Sequence, residues 1–204
     1  MISDMRDRWM RLGASLGWEN AAKAFERIAH SYSEDGRYYH TLDHVRDCLE
    51  IMDSHGGDDV LELAVWFHDA VYDPRAADNE KRSADVLRQA AEAAGMTAET
   101  VNRACRLVEI TDHRMTPLDD QERLIVDIDL SILGASAETY DRYSRNVRLE
   151  YAHVAEEAYC TGRTAVLRSF LNRERIYSGD GFVAEYEAKA RENIMRELAR
   201  LRRE

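Results

Sequence analysis

The sequence predicts an all-α protein. Apolar residues recur three and four positions apart over long stretches, strand-like alternation with hairpin turns is missing, and only two prolines, Pro74 and Pro117, interrupt the chain. The spacing predicts helices over 4–16, 19–34, 42–54, 59–72, 79–94, 98–112, 119–132, 137–152, 155–172 and 181–202. Their boundaries coincide with known stop signals. Gly56-Gly57 closes the third helix. Asp73-Pro74 closes the fourth, because the residue before a proline is pushed out of the helical region. Gly95, Thr116-Pro117, Gly134 and Ser178-Gly179-Asp180-Gly181 mark later breaks. Asp119 with Glu122 three residues on reads as a capping box. No repeat, low-complexity segment or linker interrupts the pattern. The expectation is one helical domain over 1–204, with the helices from about residue 155 onward packing on its core. Phe182 to Glu204 is strongly charged and predicts a solvated outer helix, with packing on a partner left open.

A chain of 204 residues can bury one substantial core or two small ones. Hydrophobic residues at 45% and charged residues at 33% fit a globular protein in water. The formal net charge of −11 argues against a nucleic-acid polymer as partner, since a phosphate backbone needs clustered Lys and Arg. A small anionic substrate is not excluded, because a metal ion and a few arginines can reverse the field inside one pocket. Cys48, Cys105 and Cys160 are odd in number, far apart and without CxxC spacing. They read as reduced thiols of a cytoplasmic protein, not as a zinc cluster or disulfide frame. No apolar run approaches the roughly 20 residues that span a bilayer, so no membrane partner is expected. Residues 1–10 are charged and carry no apolar stretch of a signal peptide. Between monomer and homodimer the sequence leaves the choice open.

Three segments carry chemistry out of place. Leu63 to Phe67 is apolar on every face of a helix, so that helix should be buried, yet His68-Asp69 comes immediately after it. An unpaired buried carboxylate costs several kcal/mol, so a metal, an arginine or a hydrogen-bond network must compensate it. Upstream, His40 and His44 stand four apart and share a face if that segment is helical. Downstream, Asp127 and Asp129 interrupt a run of Ile, Val and Leu. Imidazoles and carboxylates from three buried helices make a nitrogen/oxygen site for a divalent transition metal or Mg²⁺.

In this order (a His, then an adjacent His-Asp pair, then a distant Asp) the sequence resembles the HD superfamily of metal-dependent phosphohydrolases. The segments RYYHTLDHV, LAVWFHDAVYDPRAADNEKRSA and VDIDLSILG are similar to a bacterial subgroup of predicted HD phosphohydrolases, and the likeness extends to GRTAVLRSFLNRERIY near the C-terminus. The resemblance implies an HD-domain-like helical bundle. It also implies a divalent metal (Mn, Fe, Co, Ni, Zn or Mg) held by His44, His68, Asp69 and Asp129, with Asp69 both ligand and catalytic residue. Valine comes after the first ligand in many members, which favours His44 over His40. Asp129, preceding Leu130, fits the last slot, which leaves Asp127 to orient a ligand imidazole; a swap of the two acids stays open. His113 matches a place where some members add a histidine for a second metal or for phosphate. Asp73 takes a position at which acids assist catalysis in the alarmone-hydrolase branch.

The expected activity is hydrolysis of a phosphate ester of a small metabolite, the nucleotide class first. Charge growing on the phosphoryl oxygens then needs cations. Arg37, Arg75, Arg114 and Arg148 are the leading candidates, with Lys81, Arg82, Arg163 and Arg173 behind them. Glu80 is a second candidate acid or base beside Asp73, its plainer role being support of a helix's first turn. His30, His55 and His153 stand outside any motif and read as surface or packing residues. Two alternatives remain: a di-iron oxygenase using His40 and His113 as extra ligands, and a non-catalytic module that a metal stabilises.

Overall fold

The computed structural model describes residues 2–202; Met1, Arg203 and Glu204, at the ends of the expected domain, lie outside the described residues. Among the described residues every regular element is helical, as the periodicity predicts. In order they are α1 (Ile2–Ser15), α2 (Ala21–Ser31), α3 (Leu42–His55), α4 (Asp59–Phe67), α5 (Asn79–Ala93), α6 (Ala98–Glu109) and α7 (Asp120–Leu130). After these come a 3₁₀ turn (Ser131–Gly134), α8 (Ala137–Glu150), α9 (Glu156–Leu171), α10 (Asp180–Phe182), a π-turn (Val183–Glu187) and α11 (Ala188–Leu201). No described helix is long and apolar enough to cross a membrane. The chain divides into two compact units, one reaching to Val126 and the other starting at Asp127, so the division falls inside α7.

The first unit forms around α4. Asp58 caps it, accepting from the amides of Val60 and Leu61. Leu61 and every residue from Leu63 to Phe67 are buried, as an all-apolar helix requires. α1 packs against it through Trp9, whose ring meets Trp66 edge-on at 5.2 Å and whose indole N–H donates to the Ala21 carbonyl at 2.6 Å. Arg8 reaches Asp53 at 2.7 Å and Glu62 at 3.0 Å, tying α1 to α3 and α4. Thr41 caps α3 and Thr97 caps α6. At α7 the Glu122 amide donates to Asp119 at 3.0 Å, but the Glu122 carboxylate accepts from Leu118, one residue short of the reciprocal bond of a capping box.

Two local expectations need correction. The sequence extends the fourth helix to residue 72, but α4 stops at Phe67. Side chains of α5 are the cause: Ser83 takes the Val71 amide at 3.0 Å and Asn79 takes the Asp73 amide at 3.0 Å, so these donors are withdrawn from helical carbonyls. His40 precedes α3, outside the helix, so it does not share a helical face with His44.

In the second unit α11 is more than a solvated helix. Ala190, Asn193, Ile194, Glu197 and Leu198 are buried along one stripe. Asn193 donates to the carbonyls of Leu133 and Ala135 at 2.8 and 2.9 Å. Gly134 lies so close to Tyr186 that a Cβ there would stand 2.6 Å from the tyrosine backbone oxygen, which excludes every other residue. Glu197 pairs with Arg163 of α9 at 2.8 Å and accepts from the Tyr140 hydroxyl, with both charged side chains under a tenth exposed. Burial pushes the Glu197 carboxyl up, but Arg163 and Tyr140 outweigh it and hold it below the usual glutamate value.

The Glu197→Ala variant leaves Arg163 buried and uncompensated, and urea denaturation is expected to show a loss of about 3–5 kcal/mol. Because the folded carboxyl is depressed, its contribution is complete above the unfolded glutamate value and disappears as pH falls through the lower folded one. Wild type and variant should therefore converge in stability in acid.

Candidate metal centre

The C-terminus of α4 is buried, and a helix end leaves its last carbonyls without intrahelical donors. Each is met in turn. The Val65 carbonyl accepts from His68 Nδ1 at 2.8 Å, Trp66 from the Tyr32 hydroxyl at 3.1 Å, and Phe67 from the Ala70 amide at 3.0 Å. The carbonyls of Asp69 and Ala70 accept from the Arg37 guanidinium at 2.7 and 3.1 Å, and its Nη1 also reaches the His40 carbonyl at 3.1 Å. Arg37 thus ties the segment before α3 to the turn after α4, stacked over Tyr32 and Tyr72.

The Val65 contact fixes a tautomer. A carbonyl only accepts, so His68 Nδ1 carries a proton, and in the neutral ring Nε2 presents a lone pair. That lone pair faces His44 Nε2 at 3.0 Å. Asp69 Oδ2 stands 3.1 Å from His68 Nε2 and 3.6 Å from His44 Nε2. His44 and His68 are almost completely buried and Asp69 half-buried. Neighbouring donors around a four-coordinate cation, at about 2.0–2.1 Å from it, stand roughly 3.3 Å apart. Two imidazole nitrogens and a carboxylate at 3.0–3.6 Å therefore fit a divalent transition metal. Burial works against ionising Asp69, but with no cation bound the imidazoles of His68, His40 and His44 in their protonated form prevail and hold its pKa well below the usual carboxylate range.

The other expected residues of the first unit surround this cluster in different roles. His40 stacks on Tyr72 with ring centroids 3.9 Å apart. Asp73 accepts from the Arg75 amide at 2.9 Å and so shapes the loop after the cluster, on which the Arg75 side chain is exposed. Arg114 is exposed, paired with Asp112 at 2.7 Å and bonded to the Ala77 carbonyl. His113 is half-buried in the same turn. Glu80 feels both acids: burial raises its carboxyl pKa, and the charges of Asp112 and Asp69 raise it further.

In the second unit the two aspartates of α7 separate. Asp127 is 1% exposed and its carboxylate accepts from the amides of Ser178 and Gly179 at 2.7–3.1 Å, bracing the start of α10. Asp129 is half-buried, and its charge reaches Tyr143. Arg148 holds the loop after α8, pairing with Glu156 at 2.7 Å and donating to the carbonyls of Tyr151 and Val154.

Two contributors escape the sequence reading. Tyr32 braces the turn from α2, and no local pattern marks it. Cys48, set aside as a plain thiol, lies 3.7 Å from His44 Nδ1 and 3.8 Å from Nε2. Its signal was available: it stands four residues after His44 on one helix.

Replacing Arg37 with lysine removes a fork that no single ammonium can reproduce, and denaturant titration should register a loss of about 1.5–3 kcal/mol. Against known proteins, no family model, no curated protein and no solved structure matches this chain.

Proposed function

We propose that the chain is a metal-dependent phosphohydrolase acting on a phosphate ester of a small metabolite, the nucleotide class first. The observation that carries this reading is the meeting of His44 Nε2, His68 Nε2 and Asp69 Oδ2 within 3.6 Å, with the His68 lone pair aimed into the group. Two ring nitrogens at 3.0 Å otherwise share a proton; His44, His68 and Asp69 would hold a divalent cation with both imidazoles neutral. The order of the His, His-Asp and Asp motifs in the sequence, with Asp129 in the last of them, supports the same reading. Asp127, with its carboxylate committed to the amides of Ser178 and Gly179, is the weaker of the two acids for that role.

A divalent ion bound here supplies Lewis acidity toward a phosphoryl oxygen and a water of lowered pKa. The chain's own residues do the rest. The Val65 carbonyl and Arg37 hold His68 and Asp69 in place. Glu80, whose raised pKa keeps its proton to higher pH, donates to the leaving oxygen. Arg75 and Arg114, exposed on neighbouring loops, meet the substrate's remaining charge. Cys48, Cys105 and Cys160 carry no disulfide, in keeping with work in the reducing cytoplasm.

Elemental analysis should find bound metal in the wild type and a loss on the order of tenfold or more in Asp69→Ala; undiminished metal in the folded variant overturns the site. A panel of nucleotides and sugar phosphates with Mn²⁺, Co²⁺, Mg²⁺ or Ni²⁺ should yield phosphate release that a chelator stops. Metal bound with no release across the panel overturns the hydrolase reading, and an oxo-bridged di-iron absorption alongside it moves the assignment to an oxygenase.

A further inference from the structure

Away from the metal cluster the first unit carries an open groove. α1 packs on α2 and α6 packs on α5, but α2 and α5 stand apart. Between them lies a cavity of about 570 Å³. Sites for one small molecule run roughly from 300 to 1,000 Å³. Small side chains keep this one open: Ala24 lines it from α2, and Ala90, Ala93 and Ala94 line it from the end of α5. Ile28, Phe67 and Ala70 are buried lining residues and form its floor, so the floor includes the two neighbours of the His68-Asp69 pair. Val86 adds an apolar side chain at the rim, 39% exposed. The charged part of the lining is Glu19 from the loop before α2, and Lys23 and Arg27, one turn apart on α2 and both exposed. Neither cation forms an ion pair among the described residues. In a chain of net charge −11, two uncompensated cations beside an apolar cleft are complementary to an anion.

We propose that this groove binds a small amphiphilic anion, an aromatic or acyl body carrying one carboxylate, sulfonate or phosphate. The body leaves water against the alanines, Ile28 and Phe67. The anionic group meets Lys23 and Arg27 at the rim. No lining residue is a ligand in the metal reading, so the two sites stand or fall separately.

Anilinonaphthalene sulfonate is such an anion, and its fluorescence rises when its rings leave water. Titrated into the folded full chain, it is expected to bind saturably, one molecule per chain. Replacing Lys23 and Arg27 together by alanine should weaken binding about tenfold. Ala93→Phe, which puts a ring into the groove from an exposed position, should remove the saturable signal. All three positions are exposed, and circular dichroism checks that each variant keeps its helices. Phenylnaphthylamine, the same body without the sulfonate, should bind more weakly and be indifferent to loss of the two cations. Treatment with a chelator should leave the binding unchanged, which separates this site from the metal centre. No saturable binding by the wild type overturns the proposal, and so does binding that survives both the double alanine variant and Ala93→Phe. Self-association of the wild type that Ala93→Phe abolishes, measured by sedimentation, gives the groove to a second copy of the chain and overturns it as well.

Discussion

A helix that ends inside the protein must find donors for its open carbonyls, and the rest of the first unit is arranged around that requirement. α4 is apolar on all sides, so it is drawn inward by burial that mutational scales put at about 1.5–3 kcal/mol for each large side chain. Its terminus goes in with it. Water cannot serve the carbonyls of Val65, Trp66, Asp69 and Ala70, so His68, Tyr32 and Arg37 do. The same bonds that make the buried end tolerable also orient the histidine. Scaffold and candidate centre are therefore one set of hydrogen bonds, and the His68 ring cannot swing away without exposing an unmet carbonyl.

The two units handle buried charge differently. Around Glu197 the positive partner is supplied by the chain itself: Arg163 makes two contacts with the carboxylate and one with the Tyr143 hydroxyl, and Tyr140 adds a fourth bond. Such a closed network serves packing and register. Around His44, His68 and Asp69 the nearby polar groups are three acceptor-capable side chains and a thiol, and the guanidinium of Arg37 points its Nη atoms at backbone carbonyls. The metal proposed for the second would play the part that Arg163 plays in the first.

The helical class and most helix positions were legible because they rest on local signals, periodicity and caps, and His68-Asp69 stood out as polar residues after an apolar run, while the choice of His44 beside them rested on the resemblance in motif order. The early end of α4 was not, because Ser83 and Asn79, which draw the amides of Val71 and Asp73 away, lie on the next helix. Arg37 looked like a substrate cation because a sequence shows a charge and not the carbonyls it meets. Asp127 and Asp129 look alike in the run Val126–Leu130, and only the amides of Ser178 and Gly179, some fifty residues on, tell them apart. Cys48 was missed for another reason: composition described it as one of three scattered thiols, while its spacing from His44 was the informative quantity.

The π-turn at Val183–Glu187 sets the phase of the helix that follows it. Each residue added to an α-helix rotates the remainder of that helix by about 100°. The wider turn absorbs one surplus residue, so Phe182 before it and Ala190, Ile194 and Leu198 after it all stay buried. Were the residues before it joined to α11 by uninterrupted α-helix, the buried stripe of α11 would be turned by about 100° away from Phe182, toward solvent.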